Sequence, residues 1–207
     1  MSTKDEKYGR RLTDPGAVRA LAHPGRYAIL ERLQLEGPAT ATECAQVAGL
    51  TPSACSYHLR LLARHGFVGE ADNAGGDGRE RVWRAVLTAW ESDLEDADPT
   101  EAAALDRALG QVMLANTDRK VGSWLERAGQ DQREWREAAI LSNSTLVATP
   151  EELIEIRAAM MAAMAPYFHT NRPLSQAPPG ARMLHAAVRI VPGPPPSPGP
   201  RPRHSTG

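Results

Sequence analysis

The chain has 207 residues, 42% of them hydrophobic and 24% charged, a balance that suits a globular protein and excludes a largely disordered one. Its 24 basic and 25 acidic residues leave a formal charge of −1, so overall charge does not point to nucleic acid. Aromatic residues are only 5%, which leaves Leu, Ala, Val, Ile and Met to build the core.

The segment from Met1 to Arg11 is charged and has no apolar run, so no secretory leader is expected. No stretch approaches the roughly 18 apolar residues of a membrane span. The two cysteines, Cys44 and Cys55, cannot make a disulfide framework, and a reducing, cytoplasmic setting is the expectation.

Residues 1–13 read as a disordered lead-in. Asp14-Pro15 then supplies an N-cap and an N1 proline for a short helix to about Ala22. His23-Pro24-Gly25 breaks it, and a second helix carries Ile29, Leu30 and Leu33 on one face up to Gly37-Pro38. Thr40 and Glu43 form a capping box for a third helix, with Cys44, Val47 and Ala48 apolar, which stops at Gly49. Thr51-Pro52 restarts a helix to Gly66, with Cys55, Leu59 and Leu62 at helical spacing.

Two strand candidates follow, Phe67 to Ala71 and Arg81 to Val86, flanking the glycine-rich loop 72–78. An acidic linker spans 91–101, and a long helix runs from Glu101 to about Arg127 with Leu105, Leu109, Val112, Val121, Trp124 and Leu125 as its apolar side. Thr149 and Glu152 make a second capping box for a helix carrying Leu153, Ile156, Met160 and Met164. Segments 139–147 and 182–191 are strand candidates. From Pro192 the chain is proline-rich and reads as a disordered or polyproline-like tail, 192–207.

Helix, tight glycine turn and helix between Thr40 and Gly66 form a helix-turn-helix, in which the first helix braces the second against the major groove. The buried face at Cys55, Leu59 and Leu62 leaves Ser53, Ser56, Tyr57 and Arg60 on the other side. Their hydroxyl and guanidinium groups suit base edges and phosphates, and backbone N–H groups near Thr51 add a phosphate site. The run Gly78 to Arg84 alternates, with Arg79 and Arg81 on one side and Val82 and Arg84 on the other, as a wing would. Residues 15–90 carry a net charge of only one positive unit, which makes a protein-binding winged helix the competing reading.

Ala20 to Leu30 (ALAHPGRYAIL), Leu50 to Leu62 (LTPSACSYHLRLL), Gly66-Phe67-Val68 and the wing Gly78-Arg79-Glu80-Arg81 together resemble ArsR-type winged-helix regulators, in particular actinobacterial members. The resemblance covers roughly residues 15–90. It implies a homodimer on a palindromic operator, usually as a repressor. The metal-sensing members carry a Cys-x-Cys before the recognition helix or Asp and His on the C-terminal helix. This chain has Cys44 alone, and Asp106 and Asp118 without a histidine in 101–128, so no metal or other cofactor is expected.

His58 reads as a half-buried packing residue, and Cys44 and Cys55 as small core residues whose oxidation to a disulfide would distort the recognition helix. No nucleophile elbow or metal-protease spacing occurs, so no enzyme is expected. The fold class expected is mainly α with a small β-wing. A winged helix at 14–90 is followed by a helical or α+β module at 102–191. Leu105, Leu109, Val112 and Trp124 are expected at a dimer interface. Trp124, Trp135, Met160, Met164, Tyr167 and Phe168 are candidates to line a pocket for a small-molecule effector, with plain core packing as the alternative. The expected partners are double-stranded DNA and a second copy, with no membrane.

Overall fold

The computed structural model describes residues 10–71, 80–87, 90–168 and 171–194. It is mainly helical with a small β-wing: a winged helix-turn-helix followed by a helical C-terminal module.

Each N-terminal helix begins where its cap dictates. Helix α1 (Pro15–Leu21) starts at Asp14, whose carboxylate accepts from the Gly16 and Ala17 N–H groups. Helix α2 (Pro24–Glu36) starts at His23, whose Nδ1 accepts from Gly25 and Arg26. The Arg26 side chain reaches back to the Arg19 and Ala20 carbonyls and so closes the C-terminus of α1. Gly25 lies against Leu50, where a Cβ would stand 3.1 Å from a Leu50 methyl. The motif His23-Pro24-Gly25-Arg26 thus joins two helices at a corner.

Strand β2 (Ala39–Thr40) leads into α3 (Ala41–Ala48), and Gly49 takes the left-handed conformation, φ 63°, that ends it. Helix α4 (Pro52–Arg64) follows at once. Strands β3 (Val68–Glu70) and β4 (Val82–Ala85) form the wing, in an antiparallel sheet ordered β2-β4-β3 with Ala39 opposite Trp83 and Val68 opposite Ala85. The core lies between α1, α2, α3, α4 and this sheet and includes Val18, Leu21, Ile29, Leu30, Leu33, Leu59, Leu62, Phe67 and Trp83. In α3 the buried positions are Cys44 and Ala45; Val47, expected apolar-inward, faces solvent because the helix turns it away from α4.

Two segments outside the helix-turn-helix differ from expectation. Arg10–Leu12 in the supposed lead-in forms strand β1, paired in parallel with β5 (Trp90–Ser92), and Leu12 enters the core. The acidic stretch 91–101 is accordingly no free linker. Its Glu91 lies in β5, Leu94 is buried, and Asp98 caps helix α5 (Pro99–Arg127). An apolar side chain with a pocket to fill outweighs the charged residues around it. Residues 1–9 and 195–207, most of the expected disordered ends, lie outside the described residues.

Helix α5 packs on α1 through Leu105 and Leu109, both buried in the chain's own core. Beyond it come α6 (Arg133–Ala138) and α7 (Pro150–Met164), the latter with the expected Thr149–Glu152 capping box. The strand candidates 139–147 and 182–191 form no strand: among the described residues neither has a neighbour to receive its backbone hydrogen bonds.

Candidate nucleic-acid interface

Helix α4 is amphipathic in the sense required for reading DNA. Cys55, Leu59 and Leu62 are fully buried, whereas Ser53, Tyr57 and Arg60 are exposed and Ser56 is half-buried. Thr51 is exposed, but its hydroxyl oxygen accepts from the Ala54 N–H at 3.2 Å, so its side chain caps the helix. The accepting oxygen leaves the Thr51 O–H free as a donor. The α4 end is held by α3 across the Gly49 turn, so the exposed row projects from a fixed platform.

Arg60 makes no ion pair among the described residues, which leaves its guanidinium available. Arg64 follows Arg60 by four residues on the same helix face and is also exposed. Sequence reading passed it over, although the i+4 spacing was available to find it.

On the wing, Arg79 lies outside the described residues, with the rest of 72–79. Arg81 is exposed but pairs with Glu70 across the wing at 2.9 Å, which offsets part of its charge. The strand alternation also needs correcting in one respect. The side shared by Arg81 is the one that carries buried Trp83, and Arg84, on the opposite parity, is the strand's exposed cation.

His58 packs behind the row as expected. Its ring lies 4.8 Å from that of His23 and 5.6 Å from that of Tyr57, and its Nδ1 is buried without a hydrogen-bond partner among the described residues. Burial, with His23 and Arg26 nearby, holds the His58 pKa below its ordinary 6.5. Burial followed by Arg26 lowers His23 likewise. Both rings are therefore neutral at physiological pH, and α4 presents its positive charge through arginine alone.

Cys44 on α3 and Cys55 on α4 are both fully buried free thiols; the neighbouring Cys44 and burial push the Cys55 thiol up. Asp106 accepts from the Ser92 hydroxyl at 2.7 Å, and Asp118 pairs with Arg189 at 3.0 Å.

None of the six residues suggested for an effector pocket is fully buried within the chain. Trp124 is half-buried on α5, Trp135 lies under the Arg182 guanidinium at 4.7 Å, and Met160 and Met164 are half-buried on α7. Tyr167 and Phe168 are exposed. Among the expected dimer residues, Leu105 and Leu109 serve the chain's own core, while Val112 and Trp124 are half-buried. No described helix is long and apolar enough to cross a membrane.

Comparison with curated proteins finds no relative. Among solved structures, RV1404 from Mycobacterium tuberculosis is similar at 13% identity and a TM-score of 0.30, covering 72% of this chain and 82% of that one. A mutant of ZitR from Lactococcus lactis, in apo form, gives 13% identity and a TM-score of 0.29, covering 72% and 85%. The family model described as a helix-turn-helix domain matches residues 21–69, from the end of α1 into strand β3. That span contains α3, the Gly49 turn and α4, and the match supports a DNA-binding helix-turn-helix domain.

Proposed function

We propose that the chain is a sequence-specific transcriptional regulator of ArsR-like type, binding double-stranded DNA as a homodimer and acting as a repressor. The observation that carries this reading is α4 itself. One face is locked into the core by Cys55, Leu59 and Leu62, and the other offers Ser53, Ser56, Tyr57 and Arg60 to a groove. Arg79 and Arg81, which follow the 72–78 loop in sequence, are assigned to contact with the DNA backbone or minor groove. The DNA-binding unit is 14–90 and the dimerisation module 102–191. Two copies place their recognition helices on half-sites about one turn, roughly 10 bp, or a multiple apart.

Selection of bound sequences from randomised DNA, followed by titration at several salt concentrations, tests this. The expected result is a palindromic site, affinity that falls steeply with salt, and a loss of about 1–3 kcal/mol with relaxed specificity on Arg60→Ala. No enriched sequence and no binding even at low salt would sink the proposal. The near-neutral charge of 15–90 favours one competing reading, a winged helix that binds protein instead. That same null result on DNA is what it predicts.

We assign any releasing effector to the C-terminal module, around Trp124, Trp135, Met160, Met164, Tyr167 and Phe168, and expect it to be a small organic molecule. A thermal-shift screen of metabolites on the full chain tests it. A ligand that stabilises wild type but not Trp135→Ala supports the assignment; equal stabilisation of both removes Trp135 from it.

A further inference from the structure

Past Asn116 the chain buries no side chain among its described residues. The same stretch is nevertheless rich in large aliphatic groups left in water: Ile140 is 90% exposed, Val147 102%, Leu184 75% and Val191 81%. Apolar exposure on this scale marks an interaction surface rather than a finished one. It is concentrated in 139–147 and 182–191, the two segments with strand-like composition and no strand partner.

The two segments are held differently. Segment 182–191 is laid along the C-terminal half of α5 and the turn after it by its polar side chains. Arg182 pairs with Asp131 at 2.7 Å and covers the Trp135 ring, and Arg189 pairs with Asp118 at 3.0 Å. Met183, Leu184, Val188, Ile190 and Val191, on both parities, are left exposed. A strand completed within its own chain does the reverse, turning apolar groups inward and charges out. Segment 139–147 is held by almost nothing. Apart from the Ala139 N–H, which closes α6 on the Trp135 carbonyl, neither segment makes a backbone hydrogen bond among the described residues. Its residues, Ala139-Ile140-Leu141-Ser142-Asn143-Ser144-Thr145-Leu146-Val147, include no charge, so it brings no unpaired ion to an apolar strand.

Among the described residues, one chain therefore holds a docked segment whose backbone is unpaired and an uncharged arm that is unpaired as well. We propose that segment 139–147 of each copy adds as a β-strand to segment 182–191 of a second copy. A two-fold axis makes the exchange reciprocal, so both docked segments and both arms are paired with no third chain. Backbone hydrogen bonds give the pairing its strength. Ile140, Leu141, Leu146 and Val147 join Leu184, Val188 and Ile190 in a shared apolar layer. The inference deepens the homodimer reading of the preceding section and rests on it.

Amide hydrogen exchange of the full chain tests this, at concentrations where sedimentation shows dimer and then where it shows monomer. The expected result is protection of 139–147 and 182–191 in the dimer and its loss on dilution. Val188→Asp should shift the chain to monomer while the unfolding of the winged helix stays unchanged. A dimer in which both segments exchange like free chain overturns the strand exchange but leaves the homodimer standing. Protection that persists in the monomer overturns it in favour of pairing within one chain. A chain that stays monomeric at every concentration and on DNA removes both readings.

Discussion

Two helices in this molecule begin with the same device and end in opposite circumstances. At α3, the Thr40 hydroxyl accepts from the Glu43 N–H at 3.3 Å, while Glu43 accepts from the Thr40 N–H at 2.7 Å. At α7 the corresponding distances, for Thr149 and Glu152, are 3.2 and 2.7 Å. Yet α3 buries Cys44 and Ala45 in a core shared with four other helices and a sheet, and α7 buries nothing. A capping box fixes where a helix starts; it does not supply anything to pack against. Residues 10–109 hold every buried hydrophobic side chain, and 117–194 hold none among those described.

The contrast makes its largest prediction in the cores. Leu59→Ala, at a fully buried position, should cost about 2–5 kcal/mol by urea unfolding, through lost transfer energy and the cavity left behind. Ile140→Ala, at a position 90% exposed, should change the same measurement by no more than about 0.5 kcal/mol in dilute, monomeric protein. Equal costs would show that the C-terminal module has a core of its own in one chain.

The joint between the two regions comes next. Asn116, the last buried residue, donates through Nδ2 to both Glu31 carboxylate oxygens at 3.1 Å and accepts from Arg119 at 2.8 Å, while Lys120 also pairs with Glu31. Glu31→Ala leaves a buried amide without its acceptor and should cost about 1–3 kcal/mol. Asn116→Ala on top of it should add little, since the two share one network; additive costs in a double-mutant cycle would dissolve the clamp.

The caps offer a finer test. Thr40→Ala should lower global stability by about 1 kcal/mol, because α3 unfolds with the whole N-terminal core. Thr149→Ala should reduce helix content by circular dichroism without moving the global unfolding midpoint, since α7 is not part of that core. A shared midpoint shift would join the two halves into one cooperative unit.

The sequence was informative where structure is local. Asp14, Thr40, Gly49, Thr51 and Thr149 mark their helix ends by side-chain or backbone chemistry that needs no distant partner, and the spacing of Cys55, Leu59 and Leu62 separates the core face from the open one. Pairing across the chain was not legible in the same way. Arg10–Leu12 becomes a strand only because β5 lies beside it, and Leu94 enters the core from an acidic stretch. The strand-like character of 139–147 and 182–191 is real in composition, but a strand exists only with a neighbour, and periodicity does not say which chain provides it. Asn116 gave no signal at all, because a buried amide is defined by the Glu31 carboxylate facing it. Arg84 was grouped correctly with Val82, but Trp83 decides which side is out.

The smallest expected effect concerns the two histidines that pack behind α4, in the N-terminal region. His23 Nδ1 must stay unprotonated to accept from Gly25 and Arg26, and His58 Nδ1 is buried beside the His23 ring. Both pKa values are lowered from 6.5 by burial, with the positive charge of Arg26 acting in the same sense. Between the lowered values and 6.5 the unfolded chain binds more protons than the folded one, so stability rises with pH through that window. It is fully present above 6.5 and is lost as pH falls toward the folded-state values. The urea midpoint of the wild-type chain should therefore decline on acidification from neutral pH to about pH 5. In the double variant His23→Asn, His58→Phe, which keeps a capping acceptor and removes both titrations, the decline should be smaller, and what remains belongs to other groups such as His185, whose pKa burial also lowers. Parallel curves for the two proteins would place the pH dependence on other groups and leave these rings as packing alone.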